Sequence, residues 1–251
     1  MSNFKVTQKI LVNITRFLVG AQAIGLNLLV QEKETAETAV TPPVMPDSFA
    51  PTANSETSHC AGSAPNVVVE PCCKSTQRIY FANHTSHLDS VALWSALPAH
   101  LRARTRPVAA LDYWGKGGFR RFLSQHGFNA VYVDRHAPTG TDPLEPLINA
   151  LTQGDSLIIF PEGTRGTETL PADFKSGLYR LATQFPDVDL VPVYMDTLRR
   201  SMPKGCFLPI PLNCTVQFGP AIKIEPGEDK AVFLTRARDH MCKLAQIERW
   251  G

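Results

Sequence analysis

Apolar residues in this chain fall into blocks whose spacing changes from one stretch to the next. From Phe4 to Val30 the pattern is helical. Lys5, Lys9, Asn13, Arg16 and Asn27 share an arc of roughly 80° at 100° per residue, while Ile10, Ile14, Phe17, Leu18, Ile24 and Leu28 fill the rest. A basic polar stripe on an otherwise apolar helix suits a segment lying in a membrane interface. It equally suits a helix packed by its apolar side on the remainder of the chain. Asn13 and Arg16 weigh against a membrane span, because a central Arg costs about 2.5 kcal/mol or more on insertion scales. They also weigh against a secretory signal cleaved near Ala21-Gln22-Ala23.

The period is lost between residues 31 and 76. Gln31-Glu32-Lys33-Glu34-Thr35 opens a stretch rich in Thr, Ser, Ala and Pro, and Pro42, Pro43, Pro46, Pro51, Pro65 and Pro71 break any helix or central strand. This stretch reads as a linker or disordered insertion, with Val67-Val68-Val69 as one candidate short strand. From residue 77 onward strand and helix patterns alternate. Strands are expected at 78–82, 106–111, 130–133, 156–160, 190–195 and 215–218, and helices at 90–97, 119–125, 143–151, 174–184 and 228–250. Such alternation predicts an α/β fold with a sheet flanked by helices, its functional residues at strand ends and in the loops that follow. The pattern divides the chain into an N-terminal amphipathic membrane-interface helix (1–30), a linker (31–76) and a domain of alternating strands and helices (77–251). It leaves the strand order open.

Composition narrows the class of function. With 251 residues, 43% of them hydrophobic, the chain can bury one sizeable core, and a net charge of +2 argues against a dedicated nucleic-acid binder. Cys60, Cys72, Cys73, Cys206, Cys214 and Cys242 form no C-x-x-C pair and read as free thiols in a reducing compartment. The Asn-x-Ser/Thr triplets at Asn13, Asn83 and Asn213 read as chance matches, since a glycan on Asn83 would fall in the stretch with the strongest chemical signal.

That stretch is Asn83-His84-Thr85-Ser86-His87-Leu88-Asp89, where the strand 78–82 runs into an apolar helix. A His and an Asp five residues apart face opposite ways on a continuous helix and meet only if the backbone bends between them. A strand end followed by a bend would let Asp89 hold the His84 imidazole in one tautomer, as a general base requires. Two other readings stand beside this one. Ser86 and Asp89 have the spacing of a capping box, and His84 with His87 could be metal ligands, although no Cys or acidic partner at a known spacing accompanies them.

A second stretch, Phe160-Pro161-Glu162-Gly163-Thr164-Arg165, follows the strand at 156–160. Together with His84-x-x-x-x-Asp89 it resembles the glycerolipid acyltransferases, in particular the 1-acylglycerol-3-phosphate acyltransferases. Gly127-Phe128-Asn129-Ala130-Val131-Tyr132-Val133-Asp134-Arg135 and Val191-Pro192-Val193-Tyr194 are similar to two further blocks of that family, so that the resemblance covers residues 78–220 in family order. It implies a mixed β-sheet flanked by helices, and transfer of a fatty acyl chain from acyl-CoA or acyl-carrier protein, as co-substrate, to the hydroxyl of a lysophospholipid. It implies His84 as base and Asp89 as its partner. Arg165, Arg135 and Lys175 become contacts to the acceptor phosphate, and Glu162 a residue orienting the acceptor's glycerol hydroxyls.

Chemistry alone supports part of this. The planar fork of Arg165 suits phosphate, and Gly163 with Thr164 permits the close backbone approach of an anion-binding loop. A salt bridge between Glu162 and Arg165 on a surface loop is the plainer alternative. Leu93, Trp94, Leu97 and the 191–194 strand offer apolar surface for a fatty chain. Tyr113-Trp114-Gly115-Lys116-Gly117-Gly118-Phe119-Arg120-Arg121-Phe122 mixes rings and cations as membrane-interface contacts do, or is core with solvated arginines. No metal or resident cofactor is implied, and a membrane-associated protein on the cytoplasmic face is expected. An acceptor such as a lyso-ornithine lipid, or a non-catalytic lipid-binding protein of the same fold, remains an open alternative.

Overall fold

Runs in which every residue is buried mark the centre of the fold. A computed structural model of the chain describes residues 12–13, 22–27, 77–86, 88–111, 129–134, 140–168, 170–196 and 214–247. All belong to one compact unit. The expected helix at 119–125, the Tyr113 to Phe122 cluster, Arg135 and the 31–76 linker lie outside the described residues.

The strands are β1 (Gln22–Ile24), β2 (Arg78–Ala82), β3 (Thr105–Ala110), β4 (Val131–Val133), β5 (Ser156–Ile159), β6 (Asp189–Met195) and β7 (Thr215–Phe218). The helices are α1 (Asp89–Ala96), α2 (Ala99–Arg102), α3 (Glu145–Thr152), α4 (Gly177–Gln184) and α5 (Lys230–Ile247). The strands form one seven-stranded sheet in the order β1-β7-β6-β2-β5-β3-β4. Neighbours from β6 to β4 run parallel, while β7 is antiparallel to β6 and parallel to β1. The sheet is therefore mixed.

β2, β5 and β6 are buried at every position because helices cover both faces, which is why they read as unbroken apolar runs. On one face Tyr80, Ala82, Ile158, Val191 and Val193 pack against Val91, Trp94 and Leu97 of the α1 segment. On the other, Ile79, Phe81, Leu157, Ile159 and Leu190 pack against α3, α4 and α5. Helix α5 starts at an Asp cap, Asp229 Oδ1 accepting the Ala231 N–H at 2.7 Å. Its Phe233, Ala237, Met241 and Ala245, spaced by four, form the buried stripe.

Glu228 anchors the start of that helix to its second turn. Arg236 Nε and Nη2 donate to its two carboxylate oxygens at 2.7 and 2.6 Å, and the carboxylate is 5% exposed. The hydrogen bond from Arg236 holds the Glu228 carboxyl below its ordinary 4.5. A carboxyl depressed by folding contributes stability above its unfolded-state value, and that contribution is lost as pH falls through the folded-state value. Glu228→Gln is expected to cost about 1–3 kcal/mol at neutral pH. The deficit should shrink toward zero in acid denaturant titrations; one that stays constant with pH would contradict the pairing.

The N-terminal helix differs from expectation. Val12 and Asn13 are helical, with Val12 buried in the core on the α1 side, but Gln22, Ala23 and Ile24 pair with Thr215, Val216 and Gln217 as a strand. A continuous helix over 4–30 is thus excluded. In a dense apolar run a helical period carries little information, and the free edge of β7 supplies hydrogen bonds that outweigh local preference. Gly25 ends the strand at φ +78, where a Cβ would lie 2.4 Å from the Phe218 carbonyl oxygen. Among the described residues no helix is long and apolar enough to cross a membrane.

Candidate active site

Strand register assembles the site. β2 and β5 are parallel neighbours with Phe81 opposite Ile159, so His84 and Glu162, each three residues further on, emerge side by side at the C-terminal edge. Crevices at that edge of a parallel sheet are where α/β proteins bind ligands. β6 flanks β2 on the other side. There the Asn83 side chain extends the ladder, donating to the Met195 carbonyl at 3.0 Å and accepting the Met195 N–H at 2.8 Å. Asn83 is buried and committed to the backbone, which leaves no place for a glycan.

Beyond Asn83 the chain bends, and α1 begins at Asp89. One carboxylate oxygen, Oδ2, lies 2.9 Å from His84 Nδ1 and accepts the Thr85 and Ser86 N–H groups at 2.6 and 2.8 Å. The ion-pair and capping readings of Asp89 are therefore one arrangement: the carboxylate reaches back to the Ser86 N–H as in a capping box while holding the imidazole. The helix starts later than a capping box over Ser86 and Asp89 requires, with Leu88 at N-cap and no side-chain cap bond. Asp89 is fully buried and the His84 side chain 22% exposed. An ionised carboxylate at Nδ1 selects the tautomer with its proton on that nitrogen and leaves Nε2 as the basic one. The ring stacks on Phe160, centroids 4.3 Å apart. Among the described residues no group of three His, Cys, Asp or Glu converges as metal ligands would, and His87 lies outside them.

The loop after β5 turns sharply at Gly163, whose φ is +74 and whose N–H donates to the Phe160 carbonyl at 3.0 Å. Glu162 points inward. It is 5% exposed, and its two oxygens accept the N–H groups of His84 and Ala172 at 2.8 and 3.0 Å. That geometry removes the surface-loop salt-bridge reading of Glu162 with Arg165. Gly163, Thr164, Arg165 and Lys175 are exposed. The Lys175 N–H donates to the Pro161 carbonyl at 2.8 Å.

His84 lines a cavity of about 260 Å³ that the sequence reading missed. Val108 and Ala110 of β3, Val133 of β4, Leu144 and Leu147 at α3, and Leu178 and Leu181 of α4 form its apolar wall, with Gly163 and Lys175 also lining it. Nothing in the sequence of β3 marks it: the alternation of buried Thr105, Pro107 and Ala109 with half-buried Arg106, Val108 and Ala110 appears only in the fold. The residues expected to offer apolar surface are not available. Leu93, Trp94, Leu97, Val191, Val193 and Tyr194 are all at most 3% exposed and spent on the core. The structure thus brings together His84, Asp89, Glu162, Gly163 and Lys175, with Thr164 and Arg165 on the adjoining loop; Arg135, two residues past β4, lies outside the described residues.

Comparison with known proteins agrees with this arrangement. A family model described as Acyltransferase matches residues 65–196. A 1-acyl-sn-glycerol-3-phosphate acyltransferase of Limnanthes douglasii is 27% identical over 150 residues, covering 59% of this chain and 50% of that protein. A protein named Taffazin, from Dictyostelium discoideum, is 30% identical over 186 residues, covering 68% of this chain and 64% of that protein. The chain thus spans about half to two-thirds of the length of these curated relatives. The crystal structure of the 1-acyl-sn-glycerophosphate (LPA) acyltransferase PlsC from Thermotoga maritima superposes with a TM-score of 0.58 at 19% identity, covering 71% of this chain and 69% of that one. It is a likeness of fold.

Proposed function

Because this chain belongs to the acyltransferase family, we propose that it moves a fatty acyl chain from a thioester, acyl-CoA or acyl-carrier protein, to the free hydroxyl of a lysophospholipid, specifically 1-acylglycerol-3-phosphate, giving phosphatidic acid. One observation carries the reading. A His84 imidazole held at Nδ1 by buried Asp89 lines an apolar cavity at the C-terminal edge of the sheet, with an ammonium, Lys175, on the same lining.

In this mechanism His84 Nε2 takes the acceptor hydroxyl proton as the oxygen attacks the thioester carbonyl. The tetrahedral intermediate collapses, the carbon–sulfur bond breaks, and the imidazolium returns the proton to the departing thiolate. Asp89 supports the imidazolium meanwhile. No covalent acyl-enzyme is needed, and Ser86, whose Oγ accepts the Leu88 N–H at 3.3 Å, is buried rather than presented as a nucleophile. The apolar cavity suits an acyl chain. Arg165, Arg135 and Lys175 hold the acceptor phosphate, and the protein acts at a membrane surface, where the lysophospholipid acceptor resides.

The test is an acceptor panel: purified protein, labelled acyl-CoA or acyl-carrier protein, and lysophosphatidate, lysophosphatidylcholine and lyso-ornithine lipid as acceptors. Labelled phosphatidate is the expected product. Transfer only to a phosphate-free lysolipid would replace the acceptor, and transfer to none would remove the reading. In the same panel Arg165→Ala should raise KM for lysophosphatidate by the equivalent of about 2 kcal/mol, the loss of one charge-assisted contact, and leave KM for the donor unchanged. An equal effect on both substrates would contradict Arg165 as a phosphate ligand.

A further inference from the structure

We propose that Glu162 is a positioning residue for His84, and that the loop after β5 clamps the backbone of this residue on both sides. The activity arm of this inference rests on the acyl-transfer reading above; its structural arm does not.

The His84 N–H donates to Glu162 Oε1 at 2.8 Å, and the His84 carbonyl accepts the Gly166 N–H at 2.8 Å. Both backbone polar groups of the base are therefore held by residues 162–166. The other Glu162 oxygen takes the Ala172 N–H at 3.0 Å, which ties the far end of the same loop to the same carboxylate. With 5% exposure and both oxygens engaged by backbone donors, this carboxylate is turned away from solvent. Each of its oxygens already serves a backbone donor, one of them the base itself, so the carboxylate is placed to hold the site rather than to face a substrate. The choice of a carboxylate follows from the two N–H groups it must satisfy, since charge-assisted bonds are shorter and about twice as strong as neutral ones.

Two carboxylates thus divide one task. Asp89 fixes the ring through Nδ1, and Glu162 fixes the backbone that carries the ring. Gly166 belongs to the clamp by its size. A Cβ there would lie 3.3 Å from Glu162 Oε2, tight enough to press on the carboxylate that holds the His84 N–H, while meeting the His84 carbonyl oxygen at an ordinary contact distance of 3.8 Å. A displacement of about 1 Å in a reacting group costs up to 10²-fold in rate, so the clamp acts on turnover through geometry.

The decisive variant is Glu162→Gln in the full chain, which keeps one acceptor oxygen but sets an NH₂ group against a backbone N–H. We expect kcat to fall by about 10- to 100-fold, by the same factor for every acceptor, with KM within about two-fold of wild type. Gly166→Ala leaves the carboxylate in place and should lower kcat in the same acceptor-independent way, by a smaller factor. Hydrogen exchange of peptides covering 81–86 should show the His84 amide protected in wild type and less protected in Glu162→Gln. A selective rise in KM for lysophosphatidate, with kcat retained and His84 exchange unchanged, would overturn the inference in favour of a substrate contact. Should wild type acylate none of the acceptors, the functional reading falls and the clamp is judged on exchange, where an unprotected His84 amide in wild type overturns it. If Glu162→Gln does not fold, Gly166→Ala decides: unchanged kcat and exchange overturn the clamp.

Discussion

His84→Ala is expected to remain folded and to turn over at least about 10²-fold more slowly than wild type, the usual scale for a positioned acid-base group. The structure separates these two consequences. The imidazole is partly exposed at the cavity and makes its contacts through one edge and one face, to Asp89 and Phe160. Its backbone bonds to Glu162 and Gly166 do not need the ring, so truncation leaves the strand end anchored. What would disappear is the nitrogen proposed to accept the hydroxyl proton. Initial rates with saturating lysophosphatidate and acyl donor, read beside circular dichroism and a thermal midpoint, test both halves. Turnover within a few-fold of wild type would place the base elsewhere.

Asp89→Asn is expected to reproduce much of that loss and to add a stability cost. An amide oxygen can still accept the Thr85 and Ser86 N–H groups that Asp89 Oδ2 now holds, but it carries no charge to support the imidazolium. The substitution also places an NH₂ group where Asp89 Oδ1 sits, fully buried and without a hydrogen-bond partner among the described residues. A buried donor without an acceptor costs about 1–3 kcal/mol. A purely local capping role predicts a different pairing of results, with somewhat lower stability and near-normal turnover. Activity close to wild type in Asp89→Asn, alongside an inactive His84→Ala, would leave the base in place and remove its partner.

The features legible without coordinates are those that chain-local physics controls. Six of the seven strands and the helices α1, α3, α4 and α5 fall where apolar spacing and Gly or Pro punctuation put them, because pairing periods and turn chemistry act over a few residues. The meeting of His84 with Asp89 was readable for the same reason, since a bend of five residues suffices to bring them together. Short helix α2 was missed, its four residues being too few for any period to register.

Strand order decided the rest. Glu162 lies 78 residues from His84 and reaches its N–H because β5 is the neighbour of β2, a choice that no local period encodes. The same order closes an apolar cavity between β3, β4, α3 and α4, and draws Leu93, Trp94 and Leu97 into the core. β1 shows the limit most directly. Gln22 to Ile24 lie in a stretch whose overall period reads as helical and form a strand in the fold, because the edge of β7 offers backbone partners and an apolar period alone does not say which regular structure will satisfy it. Residue chemistry therefore picked out the His84–Asp89 pair, while tertiary packing decided what holds that pair in place and where an apolar cavity lies beside it.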